Sequence, residues 1–109
     1  MGRSAERAAA NEARFRQANE QIHGKVLELG TSDRTAPYLC ECEDERCTTV
    51  LLLTAAEYED VRSDSRRFAV ASGHEDGRQV VDRRPRFTVV EKTGEEGRLV
   101  EELDRRRKV

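Results

Sequence analysis

Tyr38-Leu39-Cys40-Glu41-Cys42-Glu43-Asp44-Glu45-Arg46-Cys47 holds every cysteine of the chain within eight residues, and one of its two histidines follows at Gly73-His74-Glu75. Free cysteine is often a small buried hydrophobe. That role fits poorly here, because Cys40 and Cys47 flank Glu41, Glu43, Asp44, Glu45 and Arg46, a wet setting for an apolar side chain. Thiolate and imidazole are instead strong donors to a borderline-soft cation. Cys40, Cys42, Cys47 and His74 make a tetrahedral Cys₃His set, the ligand type and number of a closed structural zinc site. An iron–sulfur cluster is the rival cofactor, since three thiolates and one further ligand can hold one.

The spacing agrees with this chemistry. Cys40 and Cys42, two apart, fall on one face of a strand. The pattern C-x-C-x₄-C resembles zinc knuckles in which a strand end supplies two thiolates and the next turn a third. The post-SET segment of lysine methyltransferases has the same cysteine spacing, a likeness that extends to coordination geometry alone. For the fourth ligand His74 competes with His23, a knuckle carboxylate or water. Gly73 lets the backbone turn His74 inward, and Glu75 or Asp76 is near enough to accept from its second ring nitrogen. His23, beside Gly24 on a helix, reads as exposed or partly packed.

Working outward, Tyr38–Cys42 and Thr48–Leu53 read as strands of a hairpin with the cysteines at its ends. Upstream, Ser4 to Leu29 lacks proline and sets Phe15, Ala18, Ile22, Val26 and Leu29 at steps of three and four, the apolar stripe of a long helix. Downstream, Thr54 and Glu57 fit a capping box and Leu53 with Tyr58 a hydrophobic staple, opening a helix that runs to about Ser63 and buries Tyr58 and Val61. Phe68–Ala71 is a strand leading into Gly73-His74. Gln79–Asp82 and Arg86–Glu91 form a second hairpin around Arg83-Arg84-Pro85. Thr93 and Glu96 suggest another capping box, for a terminal helix through Leu103 that Gly97 weakens. The fold class is α+β: a long N-terminal helix, two small antiparallel hairpins, a middle helix and a C-terminal helix, stapled by metal. Residues 1–10 are a frayed N-terminus, 11–104 one zinc-binding domain and 105–109 a basic tail.

Composition narrows the function. Only 36% of the 109 residues are hydrophobic and 5% aromatic, a thin core for which a metal staple would supply stability. The charged fraction is 39%, yet acids and bases nearly cancel to −2, so no global attraction to nucleic acid or membrane follows. Three cysteines cannot pair off among themselves and no apolar leader follows Met1, which suggests a reducing cytoplasm. No apolar run approaches a membrane span.

Three thiolates, a neutral imidazole and Zn²⁺ sum to −1. With Glu41, Glu43, Asp44 and Glu45 around it, the knuckle repels phosphate, which argues against nucleic-acid reading there. A basic face from Arg66, Arg67, Arg83, Arg84 and Arg86 is the alternative nucleic-acid surface, although a solvated face paired with acids explains it more simply. A closed site has no open coordination position, and no catalytic motif occurs, so no enzyme is expected. The reading is a zinc-stabilised interaction module that meets a protein partner, or its own copy, through the N-terminal helix or the second hairpin. Its alternatives are a nucleic-acid-binding or regulatory protein using the arginines and a thiol redox sensor that releases zinc.

Asn11-Glu12-Ala13-Arg14-Phe15-Arg16, Asn19-Glu20-Gln21-Ile22, the Cys40–Cys47 knuckle, Leu53-Thr54 with Glu57-Tyr58-Glu59-Asp60-Val61-Arg62, Phe68-Ala69-Val70-Ala71, Gly73-His74-Glu75 and Val89-Val90-Glu91-Lys92 with Gly94 together cover roughly residues 11 to 103. In these the chain resembles a group of small uncharacterised actinobacterial proteins with a C-x-C-x₄-C…G-H-E zinc-site pattern. The resemblance implies a source and a one-domain unit. Arg83-Arg84-Pro85-Arg86 and the basic tail depart from it.

Overall fold

Gly30 and Thr31 donate backbone N–H groups to Leu27 and Val26 at 3.2 and 3.3 Å, closing a proline-free helix, α1 (Gly2–Leu29), with a Schellman-type pair of bonds. The computed structural model describes residues 2–106. After α1 come β1 (Ala36–Leu39), β2 (Val50–Leu53), α2 (Ala55–Arg62), β3 (Arg67–Val70), β4 (Gln79–Arg83), β5 (Thr88–Glu91) and α3 (Gly94–Glu102). Among the described residues three helices thus combine with two small antiparallel sheets, β1-β2 and β3-β5-β4. The α+β class is as the sequence implies. Among the described residues no helix is long and apolar enough to cross a membrane.

Two strand assignments differ from expectation. β1 ends at Leu39, because the chain then leaves β2 and lies along β3: Glu41 N–H donates to the Ala69 carbonyl at 2.8 Å, whereas Cys40 N–H still reaches Thr49 at 3.1 Å. The cysteines therefore sit in the connection between β1 and β2 rather than on strands. The Phe68 strand does not stand apart from the second hairpin either. It pairs with β5, matching Phe68 to Val90, so β5 is the centre of a three-stranded sheet.

α1 buries a face that overlaps the apolar stripe only in part. Of the stripe, Val26 is buried as expected, Phe15, Ala18 and Ile22 are half-buried and Leu29 is 66% exposed, whereas Glu12, Arg16, Asn19 and His23 point inward. At 100° per residue the inner face lies roughly a quarter turn from the predicted stripe. Polar contacts outweigh the apolar bias: Asn19 bonds both the N–H and the carbonyl of Leu39, at 2.7 and 2.9 Å, sealing the open edge of β1. Arg16 lies over the Phe68 ring at 4.0 Å and donates to the Arg67 carbonyl at 2.7 Å. His23 is buried rather than exposed, held between the Tyr38 hydroxyl and Glu59, each at 2.9 Å.

α2 has the capping box its sequence announces, with reciprocal bonds between Thr54 and Glu57 at 2.8 and 3.2 Å. Leu53, Tyr58 and Val61 all enter the core, alongside Tyr38, Phe68, Val70, Phe87 and Val90. α3 lacks the corresponding box, since Thr93 makes no side-chain cap bond. Gly94 follows it at φ +62° and turns the chain before the hydroxyl can cover the first N–H groups. Gly97 has a packing reason: a Cβ there would lie 2.7 Å from the Lys92 carbonyl and 2.9 Å from the Arg66 guanidinium.

Of the expected frayed segment 1–10, residue 1 lies outside the described residues. The remainder is in α1, with Ala9 buried. Of the basic tail, residues 107–109 lie outside them, and Arg106 bonds Glu20 at 2.9 Å and Glu59 at 2.8 Å. Asp104 just before it is buried and receives both Arg62 guanidinium nitrogens, at 3.0 and 2.6 Å. Burial opposes its charge, but Arg62, the Arg106 N–H and Arg16 hold its carboxyl below the ordinary 3.8. A depressed carboxyl stabilises the fold above its unfolded pKa and loses that contribution as pH falls through the folded value. Replacing Asp104→Ala leaves two buried guanidiniums short of a partner. It should cost about 3–5 kcal/mol at neutral pH in denaturant titration, with the deficit shrinking below about pH 4.

Candidate metal centre

The knuckle presents its thiols because of where its backbone is tied. Glu41 lies on β3 by its N–H and, through its side chain, accepts from Ala69 N–H at 3.0 Å. That places Cys40 and Cys42 on either side, both 1% exposed. Cys47 N–H donates to the Asp44 carbonyl at 3.0 Å, the turn that brings the third thiol back. His74 enters from the loop after β3, where Gly73 at φ +92° turns the chain and His74 N–H bonds the Ala71 carbonyl at 2.9 Å.

One ligand atom from each of Cys40, Cys42, Cys47 and His74 lies within 4.8 Å of all the others. His74 Nδ1 is 3.6 Å from the Cys40 and Cys47 sulfurs. A tetrahedral zinc with Zn–S near 2.3 Å and Zn–N near 2.0–2.1 Å has N···S edges of about 3.6 Å. The donor set thus fits one metal ion of zinc's size, with Nδ1 as the imidazole donor. Ala71 N–H points at the Cys40 sulfur, 3.2 Å away, a bond that partly offsets negative charge on a thiolate.

Without metal the thiols differ. Burial pushes Cys40 and Cys42 up, and neighbouring sulfurs add to the rise at Cys40. Burial would raise Cys47 too, but donors from Thr49, with Cys42 and His74, bring it down to about 7. The expectation of a wet setting thus fails for Cys40 and Cys42 and holds for Cys47, which is partly exposed.

The acidic surround is also smaller than the sequence suggests. Glu41 faces inward, accepting from Asn19 at 2.9 Å and from the Tyr58 hydroxyl at 3.1 Å, and Glu43 pairs with Lys92 at 2.8 Å. Asp44 and Glu45 remain on the surface. Glu75 and Asp76 are committed elsewhere: Glu75 accepts from Gly73 N–H at 3.1 Å and Asp76 from Glu43 N–H at 2.9 Å. His23, engaged with Tyr38 and Glu59, is outside the cluster.

Arg66, Arg67, Arg83, Arg84 and Arg86 each pair with an acid, namely Glu101, Glu91, Glu75, Asp82 and Glu57. Two residues that matter to the site carry no signal in the sequence pattern. Glu41 reads as one more knuckle acid, and Arg78 as one more surface base, although its side chain is 4% exposed. Only their burial distinguishes them. No family model, curated protein or solved structure matches this chain.

Ligand thiols must lose their protons to bind metal. Burial holds Cys40 and Cys42 protonated and Cys47 lies at about 7, so zinc should release between about two and three protons per ion. Calorimetry in buffers of different ionisation enthalpy measures this number. A count near zero would separate the thiols from the binding event.

Proposed function

We propose that the chain is a small zinc-stabilised interaction module without catalytic activity. The carrying observation is the convergence of Cys40, Cys42, Cys47 and His74, four donors within 4.8 Å contributed by two loops far apart in sequence. Four protein ligands leave zinc no open position for a substrate or attacking water. The close spacing also favours a single ion over a four-iron cluster, whose thiolates bind separate irons. Structural zinc contributes about 10–16 kcal/mol in small fingers, as large as the whole net stability of a domain. A reducing, cytoplasmic setting belongs to this reading because the three thiols must stay free.

Leu27 and Leu29, 53% and 66% exposed at the end of α1, support a protein partner or self-association through that helix. Nucleic acid is the weaker reading, because the five candidate arginines are already paired with acids. A thiol redox sensor is favoured by one observation, the partly exposed Cys47 with its lowered pKa. Peroxide would oxidise two zinc thiolates to a disulfide, being itself reduced to water, and the zinc would leave. The likeness to small actinobacterial proteins is part of the same proposal.

Purified protein should carry one zinc per chain, and a strong chelator should unfold it cooperatively. Cys42→Ser should lose the metal and most of the melting transition together. Circular dichroism with metal analysis checks both; a melting curve indifferent to chelator would overturn the staple.

A further inference from the structure

The two ligand loops share no regular secondary structure, yet their sulfur and nitrogen atoms meet at the edge length of a zinc tetrahedron. Something must hold them in register. The Arg78 guanidinium lies between them, its side chain 4% exposed. Its Nε donates to the Glu75 carbonyl at 3.0 Å, one Nη to the Glu41 carbonyl at 3.3 Å and the other to the His74 carbonyl at 3.4 Å. Glu41 is the residue between two thiol ligands, and His74 is the imidazole ligand itself. The same group pairs with Glu12 of α1, which is wholly buried, and lies 3.5 Å from the Asp76 carboxylate. Asp76 in turn receives Glu43 N–H at 2.9 Å, a second tie between the loops.

We propose that Arg78 is the positioning residue of the metal site, clamping the backbone of the Cys40–Cys47 knuckle to that of the His74 loop so that the four donors stand at the spacing one metal ion needs. This rests on the zinc reading above. A planar guanidinium fork is well shaped for such a clamp, because its donors diverge in fixed directions and reach three carbonyls and the Glu12 and Asp76 carboxylates together. A lysine ammonium offers its donors from one point on a flexible stem. Partners that orient metal ligands typically contribute 10–100-fold in affinity. The simpler role for a buried arginine is as counter-ion to Glu12, and the two roles are separable. Glu12→Gln removes that charge and leaves the carbonyl contacts of Arg78 in place.

The test uses the full chain loaded with zinc or with cobalt, a spectroscopic stand-in. Affinity is read by competition with a chromophoric chelator, site geometry by the cobalt d–d bands, and folding by thermal melting. Arg78→Met and Arg78→Lys should each weaken metal binding by about 10–100-fold and alter the cobalt d–d bands, the lysine failing to rescue although it keeps the charge. Glu12→Gln should lower the melting temperature while leaving affinity within about three-fold and the spectrum unchanged. Should Arg78→Met not fold, Arg78→Lys decides alone. Wild-type affinity and spectrum in Arg78→Lys would overturn the proposal, and so would an equal loss of affinity in Glu12→Gln. A wild-type protein without a thiolate-to-cobalt charge-transfer band would overturn the metal reading itself, an outcome distinct from either.

Discussion

Glu41 joins the parts of this fold that regular hydrogen bonding leaves separate. Among the described residues the two sheets share no strand pairing, and the chain crosses between them where Glu41 lies against Ala69, bonded through both backbone and side chain. Its other carboxylate oxygen accepts from Asn19 of α1 and Tyr58 of α2. Three elements, β3, α1 and α2, therefore converge on one residue that is wholly buried. A carboxylate at that depth is tolerable only with its oxygens satisfied, and the satisfying donors fix where each element can sit. Because Cys40 and Cys42 flank it, the same joint aims the thiols.

The remainder of the interior follows the same logic. A chain with so few large apolar residues does not fill its centre with them. It turns Glu12, Arg16, Asn19 and His23 of α1 inward, and it buries Arg62 with Asp104 and Lys92 beside Glu12 and Glu43. Each pair recovers less stability than an apolar pair of equal volume, because both charges are stripped of water. What such pairs do supply is register: Asn19 matches only the N–H and carbonyl of Leu39, and Arg62 only a carboxylate held square to its fork. Metal at the knuckle would add net stability to a core whose polar contacts chiefly select one arrangement.

Local signals were legible where the physics is local. Thr54 and Glu57 bond within one helical turn, so their capping box can be read from four residues. Thr93 and Glu96 have the same letters and no such bond, because Gly94 bends the chain between them. The stripe of Phe15, Ala18, Ile22, Val26 and Leu29 misled at every position but Val26 for a related reason. Periodicity reports which face is apolar, whereas the buried face was decided by Leu39, Arg67 and Tyr38, which offer polar partners from distant strands. The central place of β5 was equally hidden, since a strand's neighbour is not written in its own residues.

By itself the sequence determined the α+β class, the positions of α2 and its cap, and the identity of four residues with metal-binding chemistry, because donor type and short spacing are properties of the chain. Tertiary structure alone decided that those four meet within 4.8 Å, that Glu41 faces the core rather than solvent, and that Arg78 lies between the ligand loops. Those outcomes depend on which polar groups find partners once water is excluded. Burial turns a surface-like Glu or Arg into a group whose placement is fixed by its partners, and no pattern of neighbouring letters contains that information.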